Sequence, residues 1–171
     1  MMAPLPAGLA PAGTRPALWR IDRDRWASTW NSGIGAELTG GRWNSRGTKA
    51  VYCALDPATT ILELAVHVGF MVLDTQPHTL TRAELLDTSD VHVVQPGDVP
   101  NPAWLHNGPH SAGQRAWGSA LLAAHDFVVF PSVVSKQGWN IVFDPARAAS
   151  KVGAASQQRF GLDTRLNLPR G

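Results

Sequence analysis

Two glycines and two arginines open the stretch GGRWNSRGTKAVYCA at residues 40–54, which runs directly into a short apolar segment. A glycine-rich loop lets backbone amides approach an anion, and the guanidinium of Arg42 offers the fork that binds phosphate oxygens in pairs. Taken alone, the same residues also describe a turn with a surface arginine. Tyr52, the only tyrosine in the chain, is either a core ring with its hydroxyl at the rim or a stacking platform for a planar heterocycle. Glu63 interrupts an apolar helical pattern. It reads as a solvent-facing partner of His67 at i+4, or as a cleft carboxylate able to stabilise an oxocarbenium-like centre or hold a sugar hydroxyl. Ser132 follows Pro131 outside any G-x-S-x-G elbow and has no ordered Asp and His partners, so hydrogen bonding to a ligand or to nearby backbone suits it better than nucleophilic attack.

Other chemistry finds less support. His106 and His110 have i, i+4 spacing, but Asn107-Gly108-Pro109 between them forbids the helix that would align them on a metal. Gly33-Ile34-Gly35-Ala36-Glu37-Leu38 carries leucine where a dinucleotide fingerprint needs its third glycine. Seven tryptophans suit core or interface, because basic residues are not interleaved with them as on a nucleic-acid platform.

The elements that must position these side chains follow from local signals. Ala17–Ile21 reads as a first strand, residues 22–30 as a short helical or irregular turn, and 31–41 as loop. Lys49–Ala54 is β-prone, after which Asp56 supplies an N-cap and Pro57 the first helical position of a helix to about Val68. Leu62, Ala65, Val66 and Gly69 would form its buried stripe. His78–Leu85 and Val91–Val94 read as strands around a polar turn, and residues 96–109 as a long loop. Ser111 and Gln114 have the form of a capping box starting a helix to about Ala124, with Trp117, Leu121 and Leu122 inward. Residues 127–134 and 140–143 suit a hairpin in which Pro131 marks an edge or a bulge, and 157–166 a last strand. This order gives an α+β domain with a largely antiparallel sheet.

At 171 residues the chain fits a single domain. It divides into an Ala/Pro-rich disordered arm over 1–16, a folded domain over 17–166 and a frayed C-terminus over 167–171. A net charge of +2 without a basic run suits a small anionic ligand better than direct nucleic-acid binding. Cys53 is the sole cysteine, which excludes an internal disulfide and fits a reducing cytoplasm. No apolar run approaches the length of a membrane span, so a soluble protein is expected.

Together these features resemble the RES domain family, toxins of bacterial toxin–antitoxin pairs. The resemblance is carried by LWRI at 18–21, GGRWNSRGTKAVYCALDPATTILELAVHVG at 40–69, the Gln114 helix, and VVFPSVV with NIVFDP within 128–145. It implies an ADP-ribosyltransferase-like fold, with mixed sheets and flanking helices around a cleft for NAD as substrate and no metal. By position Arg42, Tyr52, Glu63 and Ser132 match the motif residues, with Tyr52 at the nicotinamide and Ser132 at the ribose or nicotinamide. Arg20 and Arg46 are further phosphate contacts. The implied activity is NAD degradation by hydrolysis or phosphorolysis, or transfer of ADP-ribose to a protein. The implied partner is a helix-turn-helix (Xre-type) antitoxin, with the toxin a homodimer in a larger complex. A non-catalytic module that binds ADP-ribose or a protein is the alternative.

Overall fold

The computed structural model describes residues 5, 6, 10, 13–106 and 110–166. Seven strands form one sheet: β1 (Ala17–Arg23), β2 (Val51–Ala54), β3 (His78–Glu84), β4 (Val91–Val93), β5 (Phe127–Pro131), β6 (Trp139–Phe143) and β7 (Ser156–Phe160), in the order β4-β5-β6-β2-β1-β3-β7. Every neighbouring pair is antiparallel except β4 with β5, and the described residues include five α-helices beside short 3-10 turns: α1 (Ile34–Thr39), α2 (Pro57–Val68), α3 (Phe70–Thr75), α4 (Ala112–Ala124) and α5 (Pro145–Ala148). The α+β expectation holds.

Side-chain alternation divides the interior into two layers. Phe127, Val129, Ile141 and Phe143 face one cluster with Leu18, Val51 and Cys53, while Val128, Phe130 and Val142 face the other with Trp43, Trp104 and Leu122. Because β5 is apolar on both faces, all five of its residues are buried. Helix α4 contributes Leu122, with Trp117 and Leu121 packed alongside, as its spacing predicts.

The centre of the sheet is thinly paired. β1 and β2 share one registered pair, Trp19 with Ala54, whereas β1 pairs with β3 along seven residues. Beyond that pair, the Arg20 guanidinium takes the place of a ladder bond, donating from Nη1 to the Tyr52 carbonyl at 2.8 Å. A cleft opens where the two strands separate.

Caps set the helices around it. Asp56 accepts the Thr59 amide at 2.8 Å and Pro57 begins α2, as expected. The buried side of α2 shares Ala65 with the predicted stripe and otherwise differs from it: Thr59 and Thr60 face inward, with Thr60 donating to the Trp19 carbonyl at 3.1 Å. Small residues let the helix lie close to β1, which turns Leu62 and Val66 outward. Pro131 is also corrected. It ends β5, an interior strand between β4 and β6, past the last residue paired with β4, so its missing N–H costs no bond on that side.

Three helices were not expected. α1 lies inside the predicted 31–41 loop and is held from outside, with Asn44 Nδ2 donating to the Ala36 carbonyl at 2.8 Å; α3 and α5 carry six and four residues. The last strand stops at Phe160. In the predicted arm Leu5 packs against the first core cluster; residues 1–4, 7–9, 11–12 and 167–171 lie outside the described residues. Among the described residues no helix is long and apolar enough to cross a membrane.

Candidate active site

The loop from Gly40 to Thr48 is densely packed and hydrogen-bonded despite its glycines. Trp43 is buried and stacks on Phe130, ring centres 4.3 Å apart and planes 7° from parallel. Asn44, fully buried, donates to the carbonyls of Ala36, Ser45 and Thr48 and accepts the Tyr52 hydroxyl at 2.7 Å. That hydroxyl also accepts the Trp43 amide at 3.0 Å. Gly41 is required by close approach: a Cβ there would stand 2.5 Å from the Tyr52 hydroxyl.

Helix α4 clamps the other side of the loop. Gly118 lies against the Trp43 carbonyl with no space for a side chain, and Ser119 Oγ accepts the Ser45 amide at 2.9 Å. Ser111 caps the helix by accepting the Gln114 amide at 3.1 Å, but the reciprocal half of the predicted capping box is absent. The buried Gln114 amide instead donates to the Arg42 carbonyl at 3.3 Å and accepts Asn101 Nδ2 at 2.9 Å.

These elements surround a cleft of about 830 Å³, within the size range of small-molecule sites. Arg42, Tyr52 and Glu63 all line it, as does Arg20. Arg42 is half-buried and donates from Nη1 to the Trp104 carbonyl at 2.8 Å. Burial pulls its pKa down and the nearby Glu63 opposes this. Burial pushes the Tyr52 hydroxyl well above its ordinary value, so it serves as a neutral donor and acceptor in the loop.

Glu63 is held by the residue that follows β5 and by a residue of β6. Ser132 Oγ donates to Glu63 Oε1 at 2.7 Å and Asn140 Nδ2 donates to the same oxygen at 2.6 Å. Oε2 makes no hydrogen bond among the described residues, so one carboxylate oxygen is anchored and the other is available. Ser132 is buried and lies behind the cleft surface. Its oxygen also accepts the amides of Val134 and Ser135 at 3.2 and 2.9 Å, leaving its donor and both lone pairs engaged.

The remaining predicted contacts differ in availability. All three nitrogens of Arg20 are engaged: Nε and Nη2 form a fork onto the Asp22 carboxylate, each at 2.8 Å, and Nη1 holds Tyr52. Burial lowers the Arg20 pKa, but the Asp22 bonds more than offset it and the net shift is upward. Arg46 is exposed, donates weakly to the Thr39 carbonyl at 3.4 Å and is not part of the cleft lining. His110 lines the cleft while His106 sits on an exposed turn, and no group of three or more potential metal ligands occurs among the described residues.

The RES domain profile matches residues 17–163, nearly the whole described fold. The chain belongs to the RES domain family. A protein of Yersinia enterocolitica named Toxin Res is 31% identical over 158 residues, covering 87% of this chain and 98% of the relative. The Toxin Res of Photorhabdus laumondii is 28% identical over 156 residues, with 87% and 96% covered. A Sphingobium protein named Prs ADP-ribosylating toxin is 29% identical over 163 residues, with 88% and 96% covered. The toxin of the Mycobacterium tuberculosis MbcT–MbcA toxin–antitoxin complex superposes with a TM-score of 0.71 at 16% identity, over 86% of this chain and 85% of that one, which establishes a shared fold.

Within this RES domain, sequence reasoning missed Asn140, Gln114 and Arg115. Asn140 had a faint signal, a polar residue starting the apolar run NIVF. Gln114 was visible but assigned to its own helix end. Arg115, which also lines the cleft, is an ordinary helical arginine by sequence.

Proposed function

We propose that this RES domain is the toxin of a toxin–antitoxin pair and an enzyme that cleaves the nicotinamide–ribose bond of NAD. The observation that carries the reading is the pairing in one cleft of a rigidly held Arg42 with a Glu63 carboxylate anchored on one oxygen only. Arg42 binds the pyrophosphate. The Tyr52 ring stands at the nicotinamide, with its hydroxyl committed to the loop that aims Arg42. Nicotinamide leaves with the electron pair of the C1–N bond, which neutralises its ring, and Glu63 stabilises the positive charge left on the ribose. An acceptor then bonds to C1 and releases its proton. Ser132 acts through Glu63 as a positioning residue. Arg20, neutralised by Asp22, serves mainly to hold β1 to β2, and Arg46 stays outside the binding surface.

The partner is an antitoxin of helix-turn-helix type, in a cytoplasmic complex built on a toxin homodimer. Trp26, Ile34, Leu38 and Val66 line the cleft and are exposed, Leu38 by 70%, so the mouth offers apolar surface of the kind that protein partners cover.

The test is incubation of purified, antitoxin-free protein with NAD, with and without phosphate, followed by mass spectrometry. Free nicotinamide is expected, with Glu63→Gln lowering kcat by about 100-fold or more. Intact NAD in the presence of folded protein refutes the enzyme reading. The name of the Sphingobium relative favours a second reading, ADP-ribose transfer to a protein, for which the product is a modified polypeptide in place of free ADP-ribose or its phosphate.

A further inference from the structure

We infer that Arg115 is a second anion-binding residue of the cleft, taking a phosphate of a diphosphate-bearing ligand next to the phosphate held by Arg42. The inference rests on the reading of this cleft as an NAD site and names a residue that reading does not require.

Arg115 has no partner within the protein for its guanidinium among the described residues. Its side chain lines the cleft, yet it forms no ion pair and no side-chain hydrogen bond among the described residues, and its Nε is buried without an acceptor. Buried donors are nearly always paired, and an orphan costs stability unless something absent from the free protein completes it. Arg20 supplies the contrast, since its guanidinium meets a carboxylate within the protein. Arg115 has the same five donors and no carboxylate.

The surroundings specify the ligand's charge. Arg42 and His110 line the same cleft. Burial holds the His110 pKa below its ordinary value, and Arg42, Arg115 and His67 push it further down. Two arginine cations, Arg42 and Arg115, therefore act on one point, and a dianion relieves that repulsion where a neutral ligand does not. Position also couples the two arginines. Gln114 holds the Arg42 carbonyl and Arg115 is the next residue of α4, so one helix turn fixes the backbone of the first arginine and presents the second.

The probe is ADP-ribose, titrated by calorimetry into the full chain carrying Glu63→Gln to prevent turnover, with adenosine as the phosphate-free control. Adding Arg115→Met should weaken ADP-ribose by about 10- to 100-fold and leave adenosine unchanged, while Arg115→Lys recovers part of the loss. The free-protein Tm should not fall, because methionine keeps the stem and removes the orphan donor. Unchanged ADP-ribose affinity, or equal weakening of adenosine, overturns the inference, as does a fall in Tm with affinity intact. The two readings separate cleanly. Arg115-dependent ADP-ribose binding with no NAD cleavage by the unmutated protein keeps the anion site and removes the enzyme, whereas NAD cleavage with KM unaffected by Arg115→Met does the reverse.

Discussion

Replacing Ser132 by alanine removes one oxygen that serves three hydrogen bonds, to Glu63 and to the amides of Val134 and Ser135. The site is 1% exposed, so the two amides lose their acceptor close to the interior. Val134 and Ser135 are themselves half-buried and water reaches part of the turn, which places the cost near the lower end of about 1–3 kcal/mol for each orphaned group. A total of about 2–3 kcal/mol lowers Tm by about 5–10 °C in a domain of this length. The catalytic effect has a separate signature. Glu63 keeps the Asn140 bond but loses one of two charge-assisted donors, worth about 1.5–3 kcal/mol, so for the proposed NAD cleavage kcat should fall by about 10- to 100-fold with KM nearly constant. Asn140→Leu should give a similar fall. Because both donors hold one oxygen, the double variant costs less than the sum of the singles. Thermal denaturation with steady-state kinetics at a temperature where both variants are folded separates the two effects. A loss carried by KM refutes the positioning role and restores Ser132 as a ligand contact; an unchanged kcat with lowered Tm makes the residue purely structural.

Gly41→Ala puts a methyl 2.5 Å from the Tyr52 hydroxyl and 2.6 Å from Asn44 Oδ1, so it should cost about 1–3 kcal/mol and weaken NAD binding by displacing Arg42; denaturant melts of Gly41→Ala with and without Tyr52→Phe should recover part of the loss in the double variant. Burial lowers the pKa of His92, with the stacked His125 adding to it and Asp98 and Asp90 opposing it. Its folded pKa thus lies below the unfolded value of about 6.5, and the unfolded chain takes up the proton first. That part of the stability is complete above about pH 6.5 and is lost as pH falls toward the folded pKa, so Tm should drop over this window and His92→Gln should flatten the slope. Burial pushes the Cys53 thiol up to about 12, and iodoacetamide should label it only in denaturant, at the rate of global unfolding.

Legibility in the sequence followed the range of the interactions. The start of α2 was readable because Asp56 and Pro57 act on amides within three residues, and the apolar strands because alternation is local. Apart from Ala65, the inward face of α2 was not, since the choice between Leu62 with Val66 and Thr59 with Thr60 depends on how closely the helix approaches Trp19, a residue 41 positions from Thr60. α1 depends similarly on Asn44. At the site, residue types suggested Arg42, Tyr52 and Glu63, and the structure brings all three to one cleft. What Tyr52 does with its hydroxyl, and what Ser132 and Asn140 do for Glu63, involve partners 69 and 77 residues apart in the latter two cases. No spacing rule reaches that far.

The weak junction in the sheet gives these contacts a common purpose. A cleft between two strands needs those strands apart, and with one registered pair between β1 and β2 other contacts must span the junction. Arg20 does so through the Tyr52 carbonyl, with Asp22 of its own strand fixing the guanidinium, and Thr60 of α2 does so through the Trp19 carbonyl. Glu63, on the helix after β2, is then tied by Ser132 and Asn140 to the β5–β6 hairpin on the same side of the junction, while Arg42 is tied by Gln114 to α4. The carboxylate and the two available arginines are therefore mounted on separately braced elements around one opening. Their distances are set before any ligand arrives, and binding energy need not be spent on ordering the loop.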